Sequence, residues 1–97
     1  MWTVDFHVEA EDEMGEAVDW YAARNPRAAL AFEAKIRTAI ASIASDPSRM
    51  PALGPDRYFY LLKRFPYLVV HRSLDDAVEV LAVAYTSRRP GSWNTRT

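Results

Sequence analysis

The second half of the chain carries cationic and aromatic side chains whose types suit the binding of an anion or of a macromolecular surface. Guanidinium groups form paired, charge-assisted hydrogen bonds with phosphates and carboxylates. In an antiparallel meander the ends of successive strands can meet at one edge, so these residues are expected to lie close together there. Arginines at strand ends are also common without any binding role, and composition alone leaves both interpretations open. The set comprises Arg64, Arg72, Tyr85, Arg88, Arg89 and Trp93.

Metal, cofactor and nucleophile chemistry has little support in the sequence. His7 and His71 fall in different predicted strands, and no carboxylate spacing completes the three or four ligands of a metal site. The chain contains no cysteine, which excludes disulfides and thiolate sites. Its three glycines are isolated, so there is neither a phosphate-binding loop nor a serine-nucleophile elbow. We expect no metal and no cofactor.

Charge is distributed unevenly along the chain. Residues 1–24 contain seven acids and one base, whereas residues 49–97 contain eight bases and four acids. The acids crowd the start of the first predicted helix, where they complement the helix dipole and are typical of a solvated face. The net charge of −1 removes the bulk-charge argument for a nucleic-acid or membrane partner, but the asymmetry indicates a basic surface in the second half.

Length and composition predict one globular domain over residues 1–97. A single core typically serves 100 to 200 residues, and a chain that is 49% hydrophobic and 26% charged can bury one. No window approaches the roughly 18 apolar residues of a membrane span. Asp5, Glu9 and Glu11 interrupt any secretory signal. We therefore expect a cytoplasmic protein with no membrane partner.

Hydrophobic periodicity predicts the elements that position the basic set. Residues 2–8 alternate with period two and predict a strand, and from Glu9 the apolar period becomes that of a helix. Asn25-Pro26 breaks and restarts the helix, with Asn25 as the cap of a second helix that Asp46-Pro47 ends. A helical hairpin is expected.

The remainder of the chain predicts a loop and three strands. Residues 48–56 are rich in proline and lack a period, and the apolar runs follow at 57–63, 67–73 and 77–85. The runs at 68–70 and 80–84 do not alternate, which indicates burial on both faces. Residues 88–97 are expected to form an irregular tail. The predicted fold is α+β, in the order β-α-α-β-β-β, with the helical hairpin on one face of a small, mainly antiparallel sheet.

Two large apolar residues lie off the stripes that the helices are expected to bury. Trp20 falls beside the apolar stripe of the first helix, and Leu30 faces away from that of the second. Exposed groups of this size can mark a partner surface, although single ones are common on any protein.

Several short segments, in order and at characteristic spacing, resemble the RelE/ParE superfamily of type II toxin–antitoxin systems, in its ParE branch of plasmid stabilisation proteins. The resemblance covers nearly the whole chain. It rests on Ala17-Val18-Asp19-Trp20-Tyr21, Ile43-Ala44-Ser45-Asp46-Pro47, Lys63-Arg64-Phe65-Pro66-Tyr67, the run from Val78 to Tyr85, and Arg88-Arg89-Pro90 with Trp93 and Arg96.

The resemblance implies a small toxin that a cognate antitoxin silences, of the ParD-like or another ribbon-helix-helix type. ParE-like members inhibit DNA gyrase by binding, whereas RelE-like members cut mRNA on the ribosome. Leu68 stands where the nucleases and many ParE members carry arginine, and Tyr85 stands where ParE members often carry histidine. A complete nuclease set of base, acid and cation is therefore not visible.

We accordingly predict a ParE-like toxin that binds gyrase and has no catalytic residue. One alternative is a ribosome-dependent mRNA endonuclease that uses Arg64, Arg72 and Tyr85, and another is a non-toxic module that binds only the antitoxin. Trp20 and Leu30 are the predicted antitoxin contacts. The predicted target-binding surface comprises Arg64, Arg72, Tyr85, Arg88, Arg89 and Trp93.

Overall fold

A computed structural model describes residues 2–86 and confirms the α+β architecture. Two helices pack against a mixed five-stranded sheet. None of the helices in this part of the chain is long and apolar enough to cross a membrane. The elements are β1 (Thr3–Phe6), α1 (Val8–Arg24), α2 (Pro26–Ser45), a 3-10 turn (Pro47–Arg49), β2 (Ala52–Gly54), β3 (Arg57–Leu61), β4 (Tyr67–Leu74) and β5 (Ala77–Tyr85).

Asn25 joins the two helices of the hairpin and serves both of them. Its backbone N–H donates to the carbonyl of Tyr21 at 2.7 Å, which closes α1. Its side-chain oxygen accepts from the N–H of Arg27 at 3.1 Å, which caps α2, and Pro26 occupies the first turn where its missing N–H costs nothing. The predicted helix break is confirmed.

The strands are ordered β1-β5-β4-β3-β2, with β1 parallel to β5 and every other pair antiparallel. The predicted meander of three strands is confirmed as β3, β4 and β5. The prediction of a loop over residues 48–56 is wrong at Ala52–Gly54, which forms β2 beside β3. This strand has only three residues and all of them are exposed, so its sequence shows no alternation of apolar and polar residues. It is a strand because it pairs with β3.

A bulge in β5 separates the two halves of that strand. His71 of β4 stands opposite Val80, and the next residue back, Val70, stands opposite Ala82, so Leu81 is an extra residue. As a result, Val80 and Val83 both join the core beneath the helices, although they lie three positions apart.

Two buried clusters hold the sheet. The larger one combines the inner faces of both helices with the sheet residues Val69, Val78, Val80 and Val83. The smaller one consists of Val70, Leu81, Ala82 and Ala84, with Phe59 and Leu68 packed against it. Because consecutive residues of β4 and β5 enter different clusters, both faces are buried there, which explains why these runs do not alternate.

Candidate functional site

A groove of about 530 Å³ runs between α1 and the ends of β4 and β5. Glu13, Glu16 and Trp20 form its helical wall, and Tyr67 and Tyr85 belong to the opposite wall. The groove therefore combines two carboxylates with aromatic rings.

The helix period explains why α1 can line a groove and also cover the core. Ala10 and Ala17 are buried seven residues apart, so they lie on one stripe of the helix. Glu13, Glu16 and Trp20 follow an i, i+3, i+7 spacing on the neighbouring stripe. Trp20 consequently keeps 51% of its surface exposed.

An aromatic cluster fixes the end of the groove. Tyr21 packs edge-on against Phe65 at 5.1 Å between ring centroids, and Tyr67 packs edge-on against Phe32 at 5.2 Å and Tyr85 at 5.4 Å. Edge-to-face pairs contribute about 0.5–1.5 kcal/mol each beyond the area that they bury. The cluster therefore ties α1, α2 and the β3–β4 turn to the end of β5.

Tyr21 remains a neutral phenol within this cluster. Burial raises the pKa of Tyr21 above its ordinary value, and the nearby hydroxyl of Tyr85 raises it further. The Tyr21 hydroxyl therefore keeps its proton at neutral pH and can donate a hydrogen bond.

Glu13 reaches across the groove to the sheet. One of its carboxylate oxygens accepts a hydrogen bond from the backbone N–H of Val83 at 3.0 Å. β1 pairs with β5 only as far as Phe6 opposite Val80, after which the chain turns into α1. Within residues 2–86, no strand pairs with β5 beyond Val80 on the side of β1. Glu13 provides the acceptor for the Val83 N–H there.

Arg24 already stacks on one wall of the groove. Its guanidinium carbon lies 3.8 Å from the centre of the Trp20 ring, and its Nη1 donates to the Trp20 carbonyl at 2.9 Å. The indole thus supports a cation–π contact within the free protein.

The structure separates two arginines of the predicted target-binding surface, Arg64 and Arg72. Arg64 is exposed in the turn before β4, with a positive φ of 72°, and Tyr85 lies at the same end because it pairs with Tyr67. Arg72 stands five residues further along β4 than Tyr67, or about 16 Å at the usual rise of a strand. The expected cluster of Arg64 and Arg72 at one edge is therefore wrong.

Arg72 is also engaged within the protein. Its Nη2 lies 2.9 Å from a carboxylate oxygen of Glu79, and its Nε donates to the same oxygen at 3.0 Å. Only 17% of the Arg72 side chain and 24% of the Glu79 side chain are exposed. Arg72 is thus held by a neighbouring strand and offers little surface to a partner.

The other predicted contacts divide into exposed residues and residues that lie outside the described part of the chain. Leu30 on α2 is 66% exposed, and Tyr85 is 44% exposed. Arg88, Arg89 and Trp93, together with the predicted tail at 88–97, lie outside residues 2–86. Their roles, and those of Trp20 and Leu30, stay predictions.

The sequence predicts a partly buried strand histidine at position 71, and the structure buries His71 completely. Its ring stacks on Tyr58 at 5.9 Å, and neither ring nitrogen has a hydrogen-bond partner among the described residues. Loss of hydration lowers its pKa to about 4. The imidazole is therefore neutral at pH 7. In residues 2–86, no group of three or more His, Asp or Glu side chains could hold a metal ion.

The contact between Glu13 and Val83 was not predictable from spacing, because 70 residues separate the two. The available signal is the run of acids on α1, although such a run is typical of a solvated helix face. Glu13 is the member of that run that turns inward.

The chain is similar to one protein family over most of its length. The sequence profile of the family described as "ParE toxin of type II toxin-antitoxin system, parDE" matches residues 4–90. A solved structure, "Chromosomal ParDE TA system from P. aeruginosa", superposes with a TM-score of 0.77 and covers 90% of this chain and 98% of that one. Its sequence identity is 16%, so the likeness shows a shared fold. No curated protein matches the chain significantly. The profile match over 4–90 establishes that the chain belongs to the ParE toxin family of type II toxin–antitoxin systems.

Proposed function

We propose that this ParE-family toxin inhibits DNA gyrase by binding it and that a cognate antitoxin neutralises the inhibition. The observation that carries the proposal is the family match over residues 4–90. An inhibitor of this kind requires a complementary surface and no bond-breaking group.

The geometry of β4 supports a binding function over cleavage of RNA. In-line cleavage needs a base, an acid and a cation within reach of one phosphate. Arg72 is paired with Glu79, and the nearby imidazole of His71 is buried and neutral. Leu68, on the same strand, supplies no charge.

Purified gyrase provides the direct test. Excess toxin should reduce the supercoiling of relaxed plasmid, and addition of the protein encoded by the adjacent open reading frame should restore it. Expression of the toxin alone should arrest growth and induce the DNA-damage response. Normal supercoiling with excess folded toxin would reject gyrase as the target.

One observation keeps the ribosome-dependent endonuclease as a second candidate. Arg64 and Tyr85 are both exposed at the same end of β4, where a phosphate could meet a cation and a phenol. Primer extension on translating ribosomes should then show cuts at defined codon positions, and Tyr85→Phe should abolish them. Uncut messages during growth arrest would reject this candidate, and harmless expression of the folded protein would favour a non-toxic module that binds only its antitoxin.

A further inference from the structure

We propose that the outer edge of β1 binds an extended segment of the antitoxin as an added strand, with apolar side chains in the groove beside β1 and a basic side chain opposite Asp5. The inference rests on the proposed function, because a neutralised toxin must present a surface to its antitoxin. It assigns a place and a side-chain pattern to that contact.

The backbone of β1 is open on its outer side. Successive residues of a strand direct their N–H and C=O groups to opposite sides. The His7 N–H donates to the Val80 carbonyl at 2.9 Å, so His7 and Asp5 face β5, while Val4 and Phe6 face away from it. Within residues 2–86, neither the N–H nor the C=O of Val4 or Phe6 has a hydrogen-bond partner. Because β1 is the last strand on its side of the described sheet, these groups form an edge to which a strand can be added.

The open part of this edge is short. The Trp2 N–H also points away from β5, but it donates to the carbonyl of Ala44 near the end of α2 at 3.0 Å. After Phe6 the chain turns into α1. The free groups therefore extend only from Val4 to Phe6, a length that pairs with about three to five residues of an extended chain.

An apolar groove of about 650 Å³, the β1 groove, lies between this edge and α2. A strand paired with β1 directs every second side chain to the helical face of the sheet, where the groove lies. In this mode of recognition the main chain supplies hydrogen bonds, and pockets for alternate side chains supply specificity. The groove accordingly selects apolar side chains at alternate positions. Its lining includes Trp2, Val4, Phe6, Met14, Ile36 and Ile40.

Two charged groups determine where a basic side chain of the segment lies. Asp5 is exposed on the face of β1 opposite to the groove, whereas the exposed Arg37 belongs to the helical side of the groove. A cation opposite Asp5 gains a cross-strand charge pair, and a cation in the groove would meet the guanidinium of Arg37. The segment therefore has an apolar, a basic and an apolar residue in succession.

A second copy of this chain fits the edge less well. Two β1 strands related by a two-fold axis satisfy Val4 and Phe6 of both copies only when the axis passes through Asp5. That register sets the two Asp5 carboxylates directly opposite each other, which is destabilising. An axis through Val4 would instead pair Phe6 with Trp2, whose N–H already bonds to Ala44. Asp5 thus disfavours self-association of the edge and favours a basic strand.

A random library of 12-residue peptides displayed on phage tests the selectivity of this edge. The full-length protein is the bait, and the variant Val4→Pro is used for counter-selection. Proline removes the outward N–H and leaves the ladder with β5 intact, because the Val4 N–H does not face β5. Selected peptides should carry a lysine or arginine between two apolar residues. The absence of binders, or binders without this pattern, would overturn the inference.

Amide hydrogen exchange then locates the best peptide. In the free protein the N–H groups of Val4 and Phe6 should exchange rapidly and those of Asp5 and His7 slowly. The peptide should slow exchange at Val4 and Phe6 at least about tenfold. Asp5→Asn should weaken its binding about two- to fivefold, the range of a cross-strand charge pair. Asp12→Asn, an exposed aspartate on α1, is the matched control and should leave the affinity unchanged.

The protein encoded by the adjacent open reading frame tests whether the segment belongs to the antitoxin. Its complex with the toxin should show the same protection of Val4 and Phe6, and Val4→Pro should weaken the complex at least about tenfold. Unprotected Val4 and Phe6 in the complex would contradict the inference. Protection that increases with the concentration of the toxin alone would identify a second copy as the occupant and would also overturn it.

These outcomes are distinct from failure of the proposed function, which the supercoiling and growth assays report. A toxin that inhibits gyrase while the edge of β1 stays unprotected in the antitoxin complex would retain its function and lose this inference.

Discussion

His71 shows at the residue scale how burial without a partner fixes a protonation state. The ring lies in the sheet beside Tyr58, and neither nitrogen has a hydrogen-bond partner in the described structure. A pKa of about 4 in the folded protein, against about 6.5 for an exposed histidine, means that the unfolded chain binds the proton more tightly. Stability must then depend on pH in this interval.

Acidification should destabilise the protein through His71. The unfolded state takes up a proton as the pH falls below about 6.5, while the folded state takes it up only near 4, so stability is lost progressively between these values. The loss attributable to this group approaches about 3 kcal/mol at the lower end. Urea unfolding at pH 7, 5.5 and 4.5 measures it.

The variant His71→Phe isolates this contribution, because phenylalanine keeps a ring beside Tyr58 and cannot be protonated. Its stability should fall less than that of the wild type over the same interval. Parallel curves for wild type and His71→Phe would show that the histidine does not titrate as described.

The ion pair of Arg72 and Glu79 permits a second prediction at this scale. Both side chains are largely buried, so removal of one leaves the other poorly solvated. Glu79→Gln and Arg72→Met should each destabilise the fold, and the double variant should be more stable than the sum of the two single effects implies. A double-mutant cycle by denaturant unfolding gives the coupling, and a coupling near zero would indicate an unimportant surface pair.

At the element scale, the helical hairpin depends on one side chain at its turn. Asn25→Ala removes the oxygen that accepts from the Arg27 N–H and should cost about 1 kcal/mol. For a domain of this size the midpoint of thermal unfolding should fall by about 4–8 °C. Asn25→Asp keeps an acceptor and should stay near the wild type, whereas an equal fall for both variants would point to another role for this position.

The same elements show what the sequence predicts and where prediction stops. Both helices follow from a 3.6-residue period and from Asn25-Pro26, which act locally. β2 has no such local signal, because this short strand forms only through its pairing with β3. Arg64 and Arg72 share a residue type and lie near strand ends, which suggests one cluster, but Arg64 precedes β4 and Arg72 lies near the other end of that strand.

The candidate groove was less predictable than the fold for a related reason. Trp20 was visible as a residue off the core stripe of α1, because helix geometry determines that position. The partner of Glu13 depends on where β1 ends beside β5 and on the path of α1 across that edge. Such a contact arises only when the whole chain is assembled.

At the scale of the whole molecule, two exposed apolar residues are the predicted contacts of the proposed antitoxin. Trp20 and Leu30 lie on different helices and are 51% and 66% exposed. Obligate interfaces of wrapped complexes commonly exceed roughly 2,000 Å² and concentrate their free energy in a few large side chains. Trp20, on the groove wall, is the better candidate for such an anchor.

Trp20→Ala should weaken the complex with the protein encoded by the adjacent open reading frame by at least about tenfold. Leu30→Ala should have a smaller effect, because it removes fewer atoms and no aromatic ring. Calorimetric titration measures both affinities, and Leu53→Ala on β2 is the exposed apolar control that should change nothing. Equal affinities for Trp20→Ala and Leu53→Ala would remove Trp20 from the interface.

The extra residue in β5 has a consequence for comparisons with distant relatives. Leu81 reverses the phase of the strand, so every side chain after it points to the face opposite to the one that simple counting from Ala77 assigns. A regular strand that kept all nine residues would turn Val83 and Tyr85 to the other face and dismantle the groove, whereas deletion of Leu81 would remove the bulge and leave both on their present face. In a relative whose strand is regular, an alignment without a gap through β5 will therefore match Tyr85 to a residue on the opposite face of the sheet.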